Sequence, residues 1–252
     1  QNNLGGNSIL HFSIVSLLAV PTLMASQNWD DHDRSNRYTT HLNAQAYLES
    51  CDENAIMFTI GDNDTFPLWY MQEVEGIRTD IKLVNTSLFA TDWYIDQMKR
   101  ATYDAAPIPS QLQHDQYKYG TLDVAYSLEH PRFKDSVMTI KNLLRWIGSD
   151  SDVTYVDTEN NTKEKFYPTN RIRIPVNKQK VLENGIVAQK DADKIVPYID
   201  ITIDDRALFK NRILMLDILA NNNWERPIYF TGGANADEEY IWLKDYLQLD
   251  GL

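Results

Sequence analysis

Two aspartates one residue apart, Asp62 and Asp64, are the residues whose type and spacing most clearly suggest chemistry. They flank Asn63 directly after a short apolar segment, where a strand would end. Two carboxylates in a D-x-D arrangement can share a divalent cation, and the cation can neutralise the diphosphate of a nucleotide sugar. The alternative is structural, because Asp64 or Thr65 can cap a following helix while Asp62 accepts hydrogen bonds from loop amides. The sequence leaves both open, and a divalent cation is the only cofactor that it suggests.

A second feature is a set of aromatic side chains close to acidic ones. Trp93 and Tyr94 follow Asp92, and Trp69 and Tyr70 follow the D-x-D segment. An aromatic face beside a carboxylate can hold a sugar ring, because the ring stacks on the aromatic face and its hydroxyls bond to the carboxylate. Packing in a core would explain the same residues. The sequence contains no Gly-x-Gly-x-x-Gly, P-loop or Gly-x-Ser-x-Gly motif that would indicate another chemistry.

Hydrophobic periodicity predicts the elements that would position these residues. We predict strands over 55–59, 81–85 and 228–231 and helices over 66–75, 131–147 and 205–222. A β-rich insertion is predicted over about 150–203. The first strand, first helix and second strand form a βαβ unit. The pattern therefore predicts an α/β domain with a three-layer, Rossmann-like, mostly parallel sheet that carries the insertion.

Ligands of such sheets bind beyond the carboxyl ends of the strands. This rule brings the loops 61–65, 86–92 and 232–235 to one edge of the sheet. The predicted pocket, for a protein acceptor or a glycan, consists of Gly61, Asp62, Asn63, Asp64, Thr65, Asn85, Asp92, Trp93 and Gly232. Asp62 and Asp64 are its candidate metal ligands.

Composition limits the classes of partner. The 252 residues include 36 acidic and 24 basic side chains, which gives a net charge of −12. Nucleic acid is excluded as a partner, because binding to phosphates needs clustered lysines and arginines. Cys51 is the only cysteine, so no cysteine cluster can bind zinc.

The N-terminal part of the chain is apolar and uncharged. No Asp, Glu, Lys or Arg occurs before Asp30, and residues 9–25 are mostly apolar. As a helix, this stretch would span roughly 25 Å at about 1.5 Å per residue, slightly less than a bilayer core of about 30 Å. We predict the end of a transmembrane helix over 1–27, followed by an α/β domain over 28–252. A buried core helix is the alternative.

Five sequence blocks point to a family: NWDDHDRS at 28–35, GDNDTFPLWY at 61–70, EVEGIRTD at 73–80, TDWYIDQM at 91–98 and NWERPIYF at 223–230. They resemble a family of large bacterial membrane proteins that is abundant in Bacteroidetes and related to the vertebrate transmembrane protein O-mannosyltransferase. The resemblance runs through nearly the whole chain, and the family pattern continues beyond its C-terminus.

The resemblance implies a polytopic protein of the inner membrane, with this domain on the periplasmic side. The membrane half would resemble glycosyltransferases of the GT-C class, which use lipid-linked sugars. In such enzymes the catalytic acid lies in the membrane half, so no catalytic residue is carried over to this chain.

We therefore expect an accessory domain of a membrane protein that transfers a sugar, mannose in this family, from a lipid carrier to secreted protein acceptors. Its partners would be its own membrane-embedded half, the lipid-linked sugar through that half, and a protein or glycan acceptor. Two alternatives stay open. One is an independent, metal-dependent nucleotide-sugar glycosyltransferase that uses Asp62 and Asp64, and the other is a non-catalytic structural scaffold.

Overall fold

The computed structural model describes residues 3–128, 130–133, 136–157, 162–232 and 239–251. The chain divides into two compact units, Gln1–Thr40 and His41–Leu252. The helices are α1 (Asn3–His32), α2 (Thr39–Glu49), α3 (Asp62–Glu73), α4 (Asp92–Met98), α5 (His114–Tyr117), α6 (Ile140–Ile147), α7 (Lys178–Glu183) and α8 (Lys210–Asn222). The strands are β1 (Ile56–Thr59), β2 (Lys82–Asn85), β3 (Val124–Ser127), β4 (Met138–Thr139), β5 (Tyr155–Asp157), β6 (Lys163–Tyr167), β7 (Arg171–Pro175), β8 (Tyr198–Thr202), β9 (Ala207–Phe209) and β10 (Ile228–Phe230).

The first unit contains the long apolar helix α1. Among the described residues, its stretch Asn7–His32 is the one helix that is long and apolar enough to cross a membrane. These 26 residues measure about 39 Å at about 1.5 Å per residue, which exceeds a bilayer core of about 30 Å. Apolar side chains such as Phe12 (75%) and Leu17 (72%) are exposed, which the alternative of a core helix does not predict. The helix has the properties of a membrane span, and a signal sequence would share them.

The second unit contains the predicted βαβ arrangement. Strands β1 and β2 are parallel neighbours, and β10 pairs parallel with the other side of β1, so the sheet order is β10-β1-β2. Every residue of β1 and β2 is buried, as expected for a parallel sheet that is covered on both faces. Alternate side chains enter two different hydrophobic clusters. Ile56, Phe58 and Val84 join the larger cluster, and Met57 and Leu83 join a smaller one with helices α2 and α3.

Two further small sheets complete the mixed α/β fold. Their orders are β5-β6-β3-β9 and β4-β7-β8, and both mix parallel with antiparallel pairs. Strands β5 to β8 lie within the segment 150–203. Because β6 pairs with β3 and β7 pairs with β4, these strands extend sheets that begin outside this segment. The α/β class is confirmed, and in the described part of the chain the strands form three small sheets of three or four strands.

Three helices begin at positions that differ from the predicted ones. Helix α3 begins at Asp62 instead of residue 66, because Gly61 is its N-cap. Helix α6 begins at Ile140 instead of residue 131, since the Thr139 hydroxyl accepts a hydrogen bond from the Asn142 amide at 3.3 Å. Helix α8 begins at Lys210 instead of residue 205, because the preceding residues form β9 and pair with β3. Strand pairing and capping thus override periodicity at these points.

Two cations are buried at the amino end of the parallel sheet. Arg226 donates from Nε to the Asn54 carbonyl at 2.7 Å and from Nη1 to the Pro107 carbonyl at 2.9 Å. Lys82 donates from Nζ to the Arg100 carbonyl at 2.7 Å. Burial lowers the pKa of Arg226 to about 10, and burial together with the nearby Arg226 charge lowers the pKa of Lys82 to about 8. Both cations therefore bond to neutral acceptors, and the hydration that they lose on burial lowers the stability of the folded chain.

This cost predicts a pH dependence of stability. Below about pH 8, Lys82 is protonated in both the folded and unfolded chains, so burial of its charge destabilises the folded chain to the full extent. Between pH 8 and 10.5 the unfolded chain binds the extra proton, so stability rises with pH. We expect the difference in unfolding free energy between wild type and Lys82→Met to grow in favour of wild type over this range, by about 3 kcal/mol.

Urea unfolding of both chains at several pH values measures this difference. Lys190→Met removes an exposed lysine and serves as the matched control, for which the difference should stay constant. A difference for Lys82→Met that is equally constant with pH would contradict the prediction.

Candidate functional site

The carboxyl ends of β1 and β2 meet in a buried polar network. The Thr65 hydroxyl donates to the Gly61 carbonyl at 2.6 Å and accepts from Asn85 Nδ2 at 2.8 Å. Thr59 Oγ1 lies 2.7 Å from the same hydroxyl, and the Leu88 amide donates to Asn85 Oδ1 at 2.8 Å. Thr59, Thr65 and Asn85 are all buried. The structure therefore brings Gly61, Thr65 and Asn85 together, but their polar groups satisfy one another at the sheet edge.

Asp64 links this edge to the third strand. Its Oδ1 accepts from the Gly61 amide at 2.8 Å, and its Oδ2 accepts from the Ile60 amide at 2.9 Å. The hydroxyl of Thr231, which follows β10, donates to Oδ2 at 2.5 Å. An acidic side chain at the third helical position that accepts from the N-cap amide is a capping interaction. These hydrogen bonds favour the structural alternative for Asp64.

The remaining predicted residues of this edge are less connected. Asp62 and Asn63 lie in the first turn of α3 with exposed side chains. The Gly232 carbonyl accepts from the Tyr47 hydroxyl at 3.5 Å, and residues 233–235 lie outside the described residues. No group of three His, Cys, Asp or Glu side chains within the described ranges is arranged to hold a metal ion. The assignment of Asp62 and Asp64 as metal ligands stays a prediction.

Asp92 and Trp93 begin helix α4 next to the same edge. The buried Tyr94 hydroxyl accepts from the Asn85 amide at 2.9 Å, which attaches α4 to the end of β2. Asp92 Oδ2 accepts from the Tyr119 amide at 3.3 Å. Trp93 is 56% exposed and Tyr119 is 91% exposed. Core packing therefore explains Tyr94, whereas Trp93 presents most of its indole to solvent.

Sequence reasoning missed the residues that surround Asp92 and Trp93. Asp96 Oδ1 accepts from the Tyr117 hydroxyl at 2.7 Å and lies 3.1 Å from His114 Nδ1. Burial raises the pKa of Asp96, but the hydrogen bonds from Tyr117 and His114 outweigh burial and hold that pKa below its usual value. We call Asp92, Trp93, Asp96, His114 and Tyr119 the acidic–aromatic surface.

The acidic–aromatic surface offers two kinds of contact to a ligand. The exposed faces of Trp93 and Tyr119 can stack against apolar ring faces. The carboxylates of Asp92 and Asp96 can accept hydrogen bonds from hydroxyl groups, and Asp96 orients the half-exposed His114. This combination suits a polyhydroxylated ring better than an anion, because two carboxylates would repel negative charge.

The capping geometry predicts different effects of the two aspartates on stability. We expect Asp64→Ala to lower the free energy of unfolding by about 2 kcal/mol, because two amides and the Thr231 hydroxyl lose their acceptor. Asp62→Ala should cost less than about 1 kcal/mol, since an exposed acid in the first turn acts mainly through the helix dipole. Chemical denaturation followed by circular dichroism measures both values.

The same variants distinguish a cap from a metal site. Thermal unfolding with and without millimolar Ca²⁺, Mg²⁺ or Mn²⁺ should give the same Tm for wild type, since Asp64 already has three donors. A cation-dependent rise in Tm that Asp62→Ala abolishes would instead support Asp62 and Asp64 as metal ligands.

Comparison with known proteins identifies the family. No curated protein and no solved structure matches this chain. A family model described as TMEM260-associated domain 2 matches residues 40–252, which is most of the chain and the whole of the second compact unit. This match confirms the resemblance at the level of TMEM260-associated proteins. The chain therefore belongs to the TMEM260-associated domain 2 family.

Proposed function

We propose that this chain is the accessory domain of a membrane glycosyltransferase-like protein of the inner membrane. The membrane half would transfer a sugar, mannose, from a lipid carrier to secreted protein acceptors, and this domain would bind the acceptor or its glycan on the periplasmic side. Membership of a TMEM260-associated family supports the membrane context. The helix Asn7–His32 supports it independently. We assign no catalytic residue to this chain.

The observation that carries the binding role is the exposure of two aromatic side chains next to Asp92: Trp93 follows it in the chain, and the Tyr119 amide donates to its carboxylate. Two large aromatic side chains that stay in water forgo the favourable free energy of burying apolar surface. A ligand that covers them would supply that burial. A hexose presents a face of C–H groups to an aromatic ring, and its hydroxyls reach the neighbouring carboxylates. The acidic–aromatic surface is therefore our candidate glycan-binding site.

The fold supports this role by holding the surface rigidly. Helix α4 is attached to β2 through Tyr94, and Asp96 fixes Tyr117 of α5. The two hydrophobic clusters on opposite faces of the β10-β1-β2 sheet support a three-layer, Rossmann-like arrangement as part of this proposal. Sites built on buried elements lose little entropy when they bind.

The test is sugar transfer by the full-length protein in cells that lack the endogenous copy. We expect Trp93→Ala combined with Tyr119→Ala to reduce glycosylation of a secreted acceptor about tenfold or more, as loss of central aromatic contacts does in other interfaces. Mass spectrometry of the acceptor measures the glycosylated fraction. Immunoblotting of the membrane fraction shows whether the variant protein is present at the normal level.

Phe66→Ala is the matched control, because Phe66 is a similarly exposed aromatic residue on α3, stacked on Trp69. Transfer should be unchanged in this variant. Normal transfer by the Trp93 and Tyr119 variant would contradict the binding role and favour the structural scaffold.

A further inference from the structure

A cavity of about 280 Å³ lies between helices α6 and α8 and the segment that leads into α5. Its polar lining consists of Gln111, Gln116, Lys141, Arg145, Asp217 and Asn221. Its volume is near the lower end of the range for small-molecule sites, about 300–1,000 Å³, which suits a single sugar ring. We call it the α6–α8 cavity.

The wall of the cavity is built around a buried carboxylate. Asp217 is only 2% exposed and lies between the buried apolar residues Leu216 and Ile218 of α8. Its Oδ2 accepts from the Gln111 amide at 3.0 Å, and its Oδ1 accepts from Asn221 Nδ2 at 2.7 Å. Burial raises the pKa of Asp217, and hydrogen bonds to its ionised form oppose that shift. Asp217 thereby fixes the backbone at Gln111 and the side-chain amide of Asn221 at the cavity.

The rim of the cavity is positively charged. Lys141 and Arg145 are four residues apart on α6, so they lie on the same face of the helix. Arg145 Nη1 donates to Asn142 Oδ1 at 2.9 Å, and neither cation forms an ion pair with a described residue. Two cations against one buried carboxylate give the lining a net charge of +1 on a chain whose net charge is −12.

The cavity also has an apolar part. Leu112, Leu144 and Ala220 contribute to its lining. A ligand that fits must therefore combine an apolar ring face, hydroxyls for the side-chain amides and a negative charge for the rim. An isolated inorganic anion would leave the apolar part and the amides unused.

We propose that the α6–α8 cavity binds an acidic monosaccharide, a hexose ring that carries a carboxylate. The carboxylate pairs with Lys141 and Arg145, and the hydroxyls bond to Gln111, Gln116 and Asn221. The ring covers the three apolar side chains. This site is separate from the acidic–aromatic surface, which has the opposite charge and takes a neutral sugar. The failure of either assignment therefore leaves the other standing.

The experiment is isothermal titration calorimetry of the 252-residue chain in detergent with glucuronate, glucose and acetate as probes. We expect saturable 1:1 binding of glucuronate at millimolar concentrations, with glucose and acetate about tenfold weaker or more, because each lacks one set of contacts. Equal binding of acetate would overturn the sugar assignment. Equal binding of glucose would overturn the role of the cations, and absence of saturable glucuronate binding would overturn the site.

Variants locate the binding. Lys141→Gln combined with Arg145→Gln alters exposed side chains and should weaken glucuronate about tenfold or more. Lys178→Gln combined with Lys190→Gln removes the same charge from exposed lysines elsewhere and should leave affinity within about twofold. Circular dichroism confirms that both double variants are folded. Equal weakening in the two double variants would show general charge attraction and overturn the assignment.

Discussion

The carboxylate of Asp64 is the contact on which the carboxyl edge of the parallel sheet depends. Parallel strands that end side by side leave backbone amides which neither the strand ladder nor solvent satisfies. Asp64 accepts from the two amides that follow β1 and from the Thr231 hydroxyl that follows β10. Because Asp64 is also the third residue of α3, the same contact fixes where that helix begins. A cation at this position would have to compete with all three donors.

The sequence predicted the parts of the fold that depend on local pattern. Short apolar strands separated by a capped helix predicted β1, α3 and β2, and the rule for carboxyl ends predicted that Thr65 and Asn85 meet. The sequence could not predict that Asp96 lies beside His114, because residues 105–119 have no hydrophobic periodicity and their position depends on tertiary contacts. It also extended α6 back to residue 131, since apolar spacing does not reveal that Met138 joins a sheet.

Most of the buried charged side chains in the described part of the second unit are cations. The chain has a net charge of −12, yet the charged side chains buried nearly completely include the cations Lys82, Lys210 and Arg226. Arg226 and Lys82 donate to backbone carbonyls, and Lys210 Nζ lies 2.6 Å from Asp123 Oδ1. Cations with several donors can satisfy the carbonyls of irregular segments, which no strand or helix satisfies. Apart from Asp217, the acidic side chains of the described residues are not buried, and on the surface they repel phosphate-bearing partners.

The segment from Gln111 to Tyr119 connects the two candidate sites. It supplies Gln111 and Gln116 to the α6–α8 cavity, and His114 and Tyr119 to the acidic–aromatic surface. Asp217 of α8 holds one end of this segment through the Gln111 amide. Asp96 of α4 holds Tyr117, and Lys99, the C-cap of α4, holds the segment through the Leu112 carbonyl.

Because α4 and α8 both hold the segment, its position depends on both helices at once. The segment is short, and its buried residues Leu112 and Tyr117 pack in the larger hydrophobic cluster. The same packing therefore supports His114 and Tyr119 of one candidate site and Gln111 and Gln116 of the other.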